Sequence, residues 1–229
     1  MFPLKDDVPT LRVPIVTMVL IAGNAAAFLW QLSFGLQQSV LVGGAIPYEI
    51  LSFRDVGPPD LVAPPFTIFT SMFLHGGLAH IGGNMLFLWI FGNNVEDALG
   101  RLRFLLFYFA GGVVAALSQT FITAAGGDAL VPMVGASGAI AGVLAGYMVL
   151  FPRARVLTLI FIIFIIRLVY LPASLFIGFW FAMQLLAAFA GAGGGSGVAF
   201  VAHVGGFVAG FVLVKLMGPM KGYRRPGTW

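Results

Sequence analysis

The sequence contains no cysteine among its 229 residues, which removes disulfide frameworks and thiolate metal sites from consideration. It is also poor in charge. Only 9% of its residues are Asp, Glu, Lys or Arg, against about 25% in ordinary soluble domains. So few charges do not cover the surface of a water-soluble globule of this size, and that class is excluded. What the chain has instead is apolar length. Hydrophobic residues make up 60% of it, and several stretches near or above about 18 residues carry no charged side chain, enough for a helix to cross the hydrocarbon layer. The composition implies an integral membrane protein forming one all-α domain. Although 12 basic residues outnumber 8 acidic ones, the basic residues are scattered through short loops, so nucleic acid is not an expected partner. The lipid bilayer is.

Six spanning helices are expected, at about 13–32, 78–94, 104–124, 134–151, 173–190 and 198–214, forming a membrane domain over 13–214. Residues 1–12 and 215–229 read as tails. The run at 13–32 follows two acids and is longer than a signal-peptide core, so it reads as a retained helix. Prolines at 47, 58, 59, 64 and 65 rule out one continuous helix through the loop at 33–65. Residues 191–197 read as a glycine-rich link. The charge-free run 156–166, between Arg155 and Arg167, is too short to span and is expected to be a re-entrant or interfacial element or an amphipathic elbow.

Charge placement orients this topology. With both ends inside, the inner segments hold Lys5, Arg12, Arg101, Arg103, Arg153, Arg155, Arg167, Lys215, Lys221, Arg224 and Arg225, which is 11 of the 12 basic residues. The outer loops hold Arg54 together with Glu49, Asp55, Asp60 and Asp128. That asymmetry fits cytoplasmic termini, and a seventh crossing would move the C-terminal cluster outside.

The chain has three histidines, His75, His80 and His203, all placed by this topology near the outer face. An ionisable side chain at membrane depth is costly and reads as functional by default. Near the outer end of the fourth span stands Gly135-Ala136-Ser137-Gly138. A serine hydroxyl needs a base to become a nucleophile, and the glycine beside Ser137 leaves it uncrowded. Ala139 breaks the soluble G-x-S-x-G elbow pattern, and a glycine-flanked serine also occurs simply as helix packing. The sixth span offers the base. His203, Gly206 and Gly210 share one helical face, and Gly138, Gly142 and Gly146 form a row of small residues on the fourth. Packing the two rows would bring imidazole and hydroxyl together; the alternative is a glycine seam enclosing a buried histidine. His80 and Asn84, four apart, share a face of the second span. With the backbone N–H of Ser137 they could form an oxyanion hole, or Asn84 could bond a neighbouring helix. No spacing fits a metal site, no cofactor is implied, and no carboxylate lies in a span near these residues.

These residues resemble the rhomboid family of intramembrane serine proteases over about 66–210. The resemblance rests on His75-Gly-Gly-Leu-Ala-His80-Ile-Gly-Gly-Asn84, Gly92-Asn-Asn-Val-Glu96-Asp97, Gly135-Ala-Ser137-Gly138 and Ala202-His203-Val-Gly-Gly206. It implies a six-helix rhomboid-like bundle in which Ser137 is the nucleophile and His203 its base. It further implies that His80 and Asn84 line the oxyanion site, with His75, Gly135, Gly138 and Gly206 in support. The implied substrates are single-span membrane proteins, cut near their outer membrane edge. Short tails resemble prokaryotic members, which implies a cell inner membrane. The sequence does not specify the oligomeric state. Two departures stand out: Phe66-Thr67-Ile68-Phe69-Thr70 replaces a Trp-Arg stretch common in the first loop, and Ala141 replaces an aromatic residue that supports the histidine in some relatives.

Overall fold

Runs bounded by proline and glycine become the helices of the computed structural model, which describes residues 1–126, 129–162, 165–190 and 199–223. The glycine-rich link at 191–197, the first residue of the expected sixth span, and Asp128, Arg224 and Arg225 lie outside the described residues. The elements run β1 (Phe2–Asp6), α1 (Ile15–Phe34), α2 (Leu36–Gly43), α3 (Pro47–Ser52), α4 (Thr67–Ser71), α5 (Leu78–Phe87), α6 (Asn93–Leu99), α7 (Arg101–Gly126), α8 (Ser137–Leu150), β2 (Arg155–Ile162), β3 (Ile165–Pro172), α9 (Ala173–Phe189) and α10 (Phe200–Met217). A π-helical turn, Leu88–Gly92, joins α5 to α6, so these form one continuous stretch ending at Gly100. There a φ of 82°, accessible to glycine without a Cβ penalty, reverses the chain into α7.

By length and composition, α1, α7 and α10 can each cross a membrane, and α8 and α9 are shorter apolar helices. Large apolar side chains such as Val19, Leu29, Phe121, Leu186 and Leu216 are exposed on α1, α7, α9 and α10, the outward apolar surface that lipid requires. The fold is a polytopic helical membrane bundle. Helix α8 is its axis. Residues Gly138 through Tyr147 are all buried, and small residues at Gly138, Gly142 and Gly146 let α7 and α10 approach closely.

One region departs from the all-helical expectation. In place of a helical elbow, the described residues of the run 156–166 are extended: β2 and β3 pair antiparallel, registered from Arg155↔Pro172 to Ile162↔Ile165, while residues 163 and 164 lie outside the described residues. Segment 1–12 is not a bare tail, because β1 pairs antiparallel with β2, Phe2 opposite Leu159 and Asp6 opposite Val156. Dense Val, Ile, Leu and aromatic residues favour the pleated conformation. Pro3 is tolerated because β1 is an edge strand of the β1-β2-β3 sheet.

The sheet end of the bundle is tied together by carboxylates. Glu96 accepts from the backbone N–H of Val16 (3.0 Å) and Thr17 (2.7 Å) and from Thr17 Oγ1 (2.8 Å), capping α1, whose own Pro14 offers no side-chain cap. Asp97 accepts from Leu11 N–H at 2.8 Å. The C-terminal segment returns to the same end, with Met220 N–H donating to Ala98 O at 2.8 Å.

Asp6 Oδ2 accepts from Tyr147 Oη and from Asn94 Nδ2, each at 2.6 Å, and so pins β1 to the far end of α8. Burial pushes the Asp6 carboxyl up from 3.8 to about 6, against the opposing pull of the Tyr147 hydrogen bond. A carboxyl whose folded pKa is raised binds its proton more tightly in the folded state. Its contribution to stability is therefore complete below pH ~4 and is lost as pH rises through ~6. Asp6→Asn keeps an acceptor for Tyr147 without titrating. Thermal unfolding of the purified chain from pH 4 to 8 is expected to show a falling midpoint in the native protein and a smaller fall in Asp6→Asn. Identical slopes would contradict this reading of Asp6.

Candidate active site

Ser137 is the first residue of α8, at the end of the bundle opposite the sheet. The loop before it is held by pairing between Ala45 and Met133, by Tyr48 N–H donating to Ala129 O (2.9 Å), and by Gly135 N–H donating to Ser71 O (2.8 Å). Gly135 has φ 123°, in the left-handed region that favours glycine. Helix α10 approaches α8 through small residues. A Cβ added to Gly142 would lie 3.1 Å from Gly206 O, and one added to Gly206 would strike the Gly138 carbonyl. Gly146 leaves this seam and faces the Phe107 ring of α7, 3.0 Å from an added Cβ. Gln119 of α7 steadies the first turn of α10, accepting from Ala202 N–H at 3.1 Å.

The close seam sets the next residue of α10 against the start of α8. Ser137 Oγ and His203 Nε2 are 2.7 Å apart. His203 is 8% exposed and Ser137 half-buried, so the imidazole is largely removed from bulk water while the hydroxyl borders more open space. On its other side His203 Nδ1 lies 2.7 Å from Gln184 Oε1 on α9. The side-chain carbonyl only accepts, so Nδ1 carries the proton and Nε2 is the acceptor for the serine hydroxyl.

His80 and Asn84 of α5 face the same loop. A Cβ built on Gly135 would lie 2.7 Å from His80 Nε2 and 3.6 Å from Asn84 Nδ2. Gly76 N–H donates to His80 Nδ1 at 3.3 Å, which leaves Nε2–H of the neutral ring as a donor toward Gly135. Asn84 Nδ2 is buried with no acceptor among the described residues, an uncommon state for an amide donor in a native interior. The N–H of Ser137, in the first turn of α8, has no intrahelical acceptor, and the helix dipole there favours developing negative charge. His75 is fully buried and stands edge-on to His80, ring centroids 5.0 Å apart. Its backbone is clamped by Gln31, which accepts from His75 N–H (2.8 Å) and donates to His75 O (3.2 Å). It supports His80 and does not contact the Ser137–His203 pair. Gly138 packs against Ala115, 2.6 Å from an added Cβ.

A cavity of about 40 Å³ adjoins Ser137, lined by Ser71, Met72, Gly135, Ala199 and Ala202 among others, room enough for water. A larger one, about 300 Å³, lies at the opposite end beside Arg12, Glu96, Asp97 and Arg101, far from this chemistry.

Gln184 was not singled out in the sequence. The signal was present: in ASLFIGFWFAMQLLAAF it is the only amide or ionisable side chain, and polar groups at membrane depth are expensive unless used.

A family model for the Rhomboid domain matches residues 64–220. The mitochondrial Rhomboid protein 1 of Saccharomyces cerevisiae is 36% identical over 103 residues, 44% of this chain and 30% of that protein. Presenilin-associated rhomboid-like protein A, mitochondrial, of Danio rerio is 41% identical over 86 residues, 37% of this chain and 22% of its own length. The Rhomboid protease GluP of Bacillus subtilis is 33% identical over 184 residues, 77% of this chain and 31% of that protease. The matched stretches thus make up less than a third of each of these relatives.

Proposed function

Because the chain belongs to the rhomboid family, we propose that it is an intramembrane serine endopeptidase in which Ser137 attacks the scissile carbonyl and His203 is its general base. The observation that carries the reading is the 2.7 Å contact between Ser137 Oγ and His203 Nε2, beside a cavity of water size. A serine alone is a weak nucleophile; an imidazole nitrogen within hydrogen-bond reach removes its proton as the C–O bond forms. The tetrahedral oxyanion is received by the N–H of Ser137, Nε2–H of His80 and the Asn84 amide, each such donor contributing about 10²–10³ in rate. His203 then protonates the departing amine, and a water activated by the same imidazole releases the acyl enzyme.

The substrates are single-span membrane proteins, cut near the outer membrane face. Arg12, Arg101, Arg103 and Lys215 gather at the end of the bundle opposite Ser137, which supports cytoplasmic termini and an outward-facing site. A peptide bond within an intact helix is shielded by the helix itself. Preferred targets therefore carry Gly, Pro or polar residues near the cut, where the helix unwinds cheaply. The membrane is a prokaryotic inner membrane.

The test is cleavage of a panel of single-span proteins by the purified chain in proteoliposomes, with the new termini mapped by mass spectrometry. Cuts within a few residues of the outer hydrocarbon edge are expected, and Gly or Pro placed there is expected to raise the rate several-fold. A correctly folded chain that cut none of the panel, or cut only soluble loops, would contradict the proposal.

A further inference from the structure

Building on the protease reading, we propose that Gln184 is the positioning residue of the dyad: its side-chain carbonyl holds the His203 ring in the tautomer and orientation that present Nε2 to the Ser137 hydroxyl. A neutral imidazole has two tautomers, and only the one protonated at Nδ1 leaves Nε2 free to take a proton. The other would turn an N–H toward Ser137 and could not act as its base. The 2.7 Å bond from Nδ1–H to Gln184 Oε1 selects the competent form, since a carbonyl oxygen accepts and does not donate. In soluble serine proteases a carboxylate occupies this position. Among the described residues no carboxylate bonds His203.

Helix α9 grips the ring at a second point. Trp180 and Gln184 are four residues apart and share one face of α9, and the Trp180 ring lies 5.8 Å from the imidazole, tilted by 40°. Phe200, from the first turn of α10, meets the ring edge-on at 6.4 Å. The support missing at Ala141 of α8 therefore comes from α9. Because the acceptor sits on α9 and the base on α10, the dyad is complete only while these two helices are seated together.

A neutral amide orients the ring without adding charge, so its removal costs less than the ~10⁴ lost when an orienting aspartate is neutralised. Gln184→Leu, similar in size but lacking the acceptor, is expected to lower kcat on the order of 10–100-fold while KM stays within about twofold. Gln184→Glu restores an acceptor at Nδ1 and is expected to recover most of that loss. In ¹⁵N-histidine spectra of the full chain in detergent, the His203 signals are expected to report Nδ1–H in the native protein and a mixture of tautomers in Gln184→Leu. Thermal unfolding run alongside separates positioning from packing. A Gln184→Leu variant with native kcat and an unchanged tautomer would overturn the proposal. So would a loss confined to KM and unfolding temperature that Gln184→Glu does not repair. Ser137→Ala is the reference throughout: if it remained active, the protease reading beneath this inference would fall, whereas an inert Ser137→Ala beside a fully active Gln184→Leu removes the role of Gln184 alone.

Discussion

Ser137→Ala and His203→Ala are each expected to lower the rate of substrate cleavage by about 10⁴-fold or more, and the double variant is expected to be no worse than either one. Residues that act as one unit are not additive in a kinetic sense: once the hydroxyl has lost its base, or the base its hydroxyl, little remains for the second substitution to remove. The structural cost is small by comparison. Ser137 Oγ makes one hydrogen bond, to His203, and losing a single intramolecular bond of this kind destabilises by about 1 kcal/mol. His203→Ala removes more, since the ring also bonds Gln184 and packs on Trp180. Its unfolding midpoint is therefore expected to fall further than that of Ser137→Ala, although the two lose similar activity. Initial rates on one single-span substrate, measured beside thermal unfolding, check both halves. Single losses that multiply in the double variant would mean that the two side chains act independently.

The second large effect concerns the seam that brings the pair together. Gly206→Ala is expected to be far more damaging than Gly142→Ala. In the first, the added methyl would strike the Gly138 carbonyl, one residue after Ser137, and backbone there has nowhere to move. In the second the methyl would lie 3.1 Å from Gly206 O, a contact relieved by a shift of a few tenths of an ångström. Overpacking of a tight interface costs about 1–3 kcal/mol. The kinetic cost is larger, because displacing a catalytic pair by roughly 1 Å can cost about 10²-fold. Gly206→Ala is accordingly expected to lose about 10²-fold in kcat with a clear drop in unfolding midpoint, and Gly142→Ala to lose less than tenfold. Equal losses from the two variants would show that the α8–α10 approach does not set the geometry of the site.

The contact between Ser137 and His203 was legible because membrane helices pack through small residues. Glycines four apart beside Ser137, and the row His203, Gly206, Gly210, gave both the contact face and its depth from spacing alone. Gly146 shows where that argument runs out: it continues the row in sequence, but α7 crosses α8 there, and its partner is the Phe107 ring. The sheet was not legible. A short charge-free run such as 156–166 reads equally as a buried strand or a short helix, and the arbiter lay far upstream, where β1 supplies the pairing edge and Asp6 the tie to Tyr147. Residues 1–12, short and polar beside the spans, carried no signal of that pairing. Gln184 was visible as an isolated amide in an apolar helix. Only the relative rotation of α9 and α10 revealed that it faces the imidazole rather than another helix backbone. Glu96 was legible as part of the Gly92–Asp97 motif but not as the cap of α1, because the N–H groups that donate to it are about eighty residues away.

The central claim is that the hydroxyl of Ser137 is made nucleophilic by His203. It is tested most directly by treating the purified chain with a fluorophosphonate and locating the adduct by mass spectrometry. The expected result is a single phosphonylated residue, Ser137, formed at a rate that falls to background in His203→Ala although the chain remains folded. An adduct on another residue, or labelling of Ser137 that proceeds unchanged without the imidazole, would contradict it.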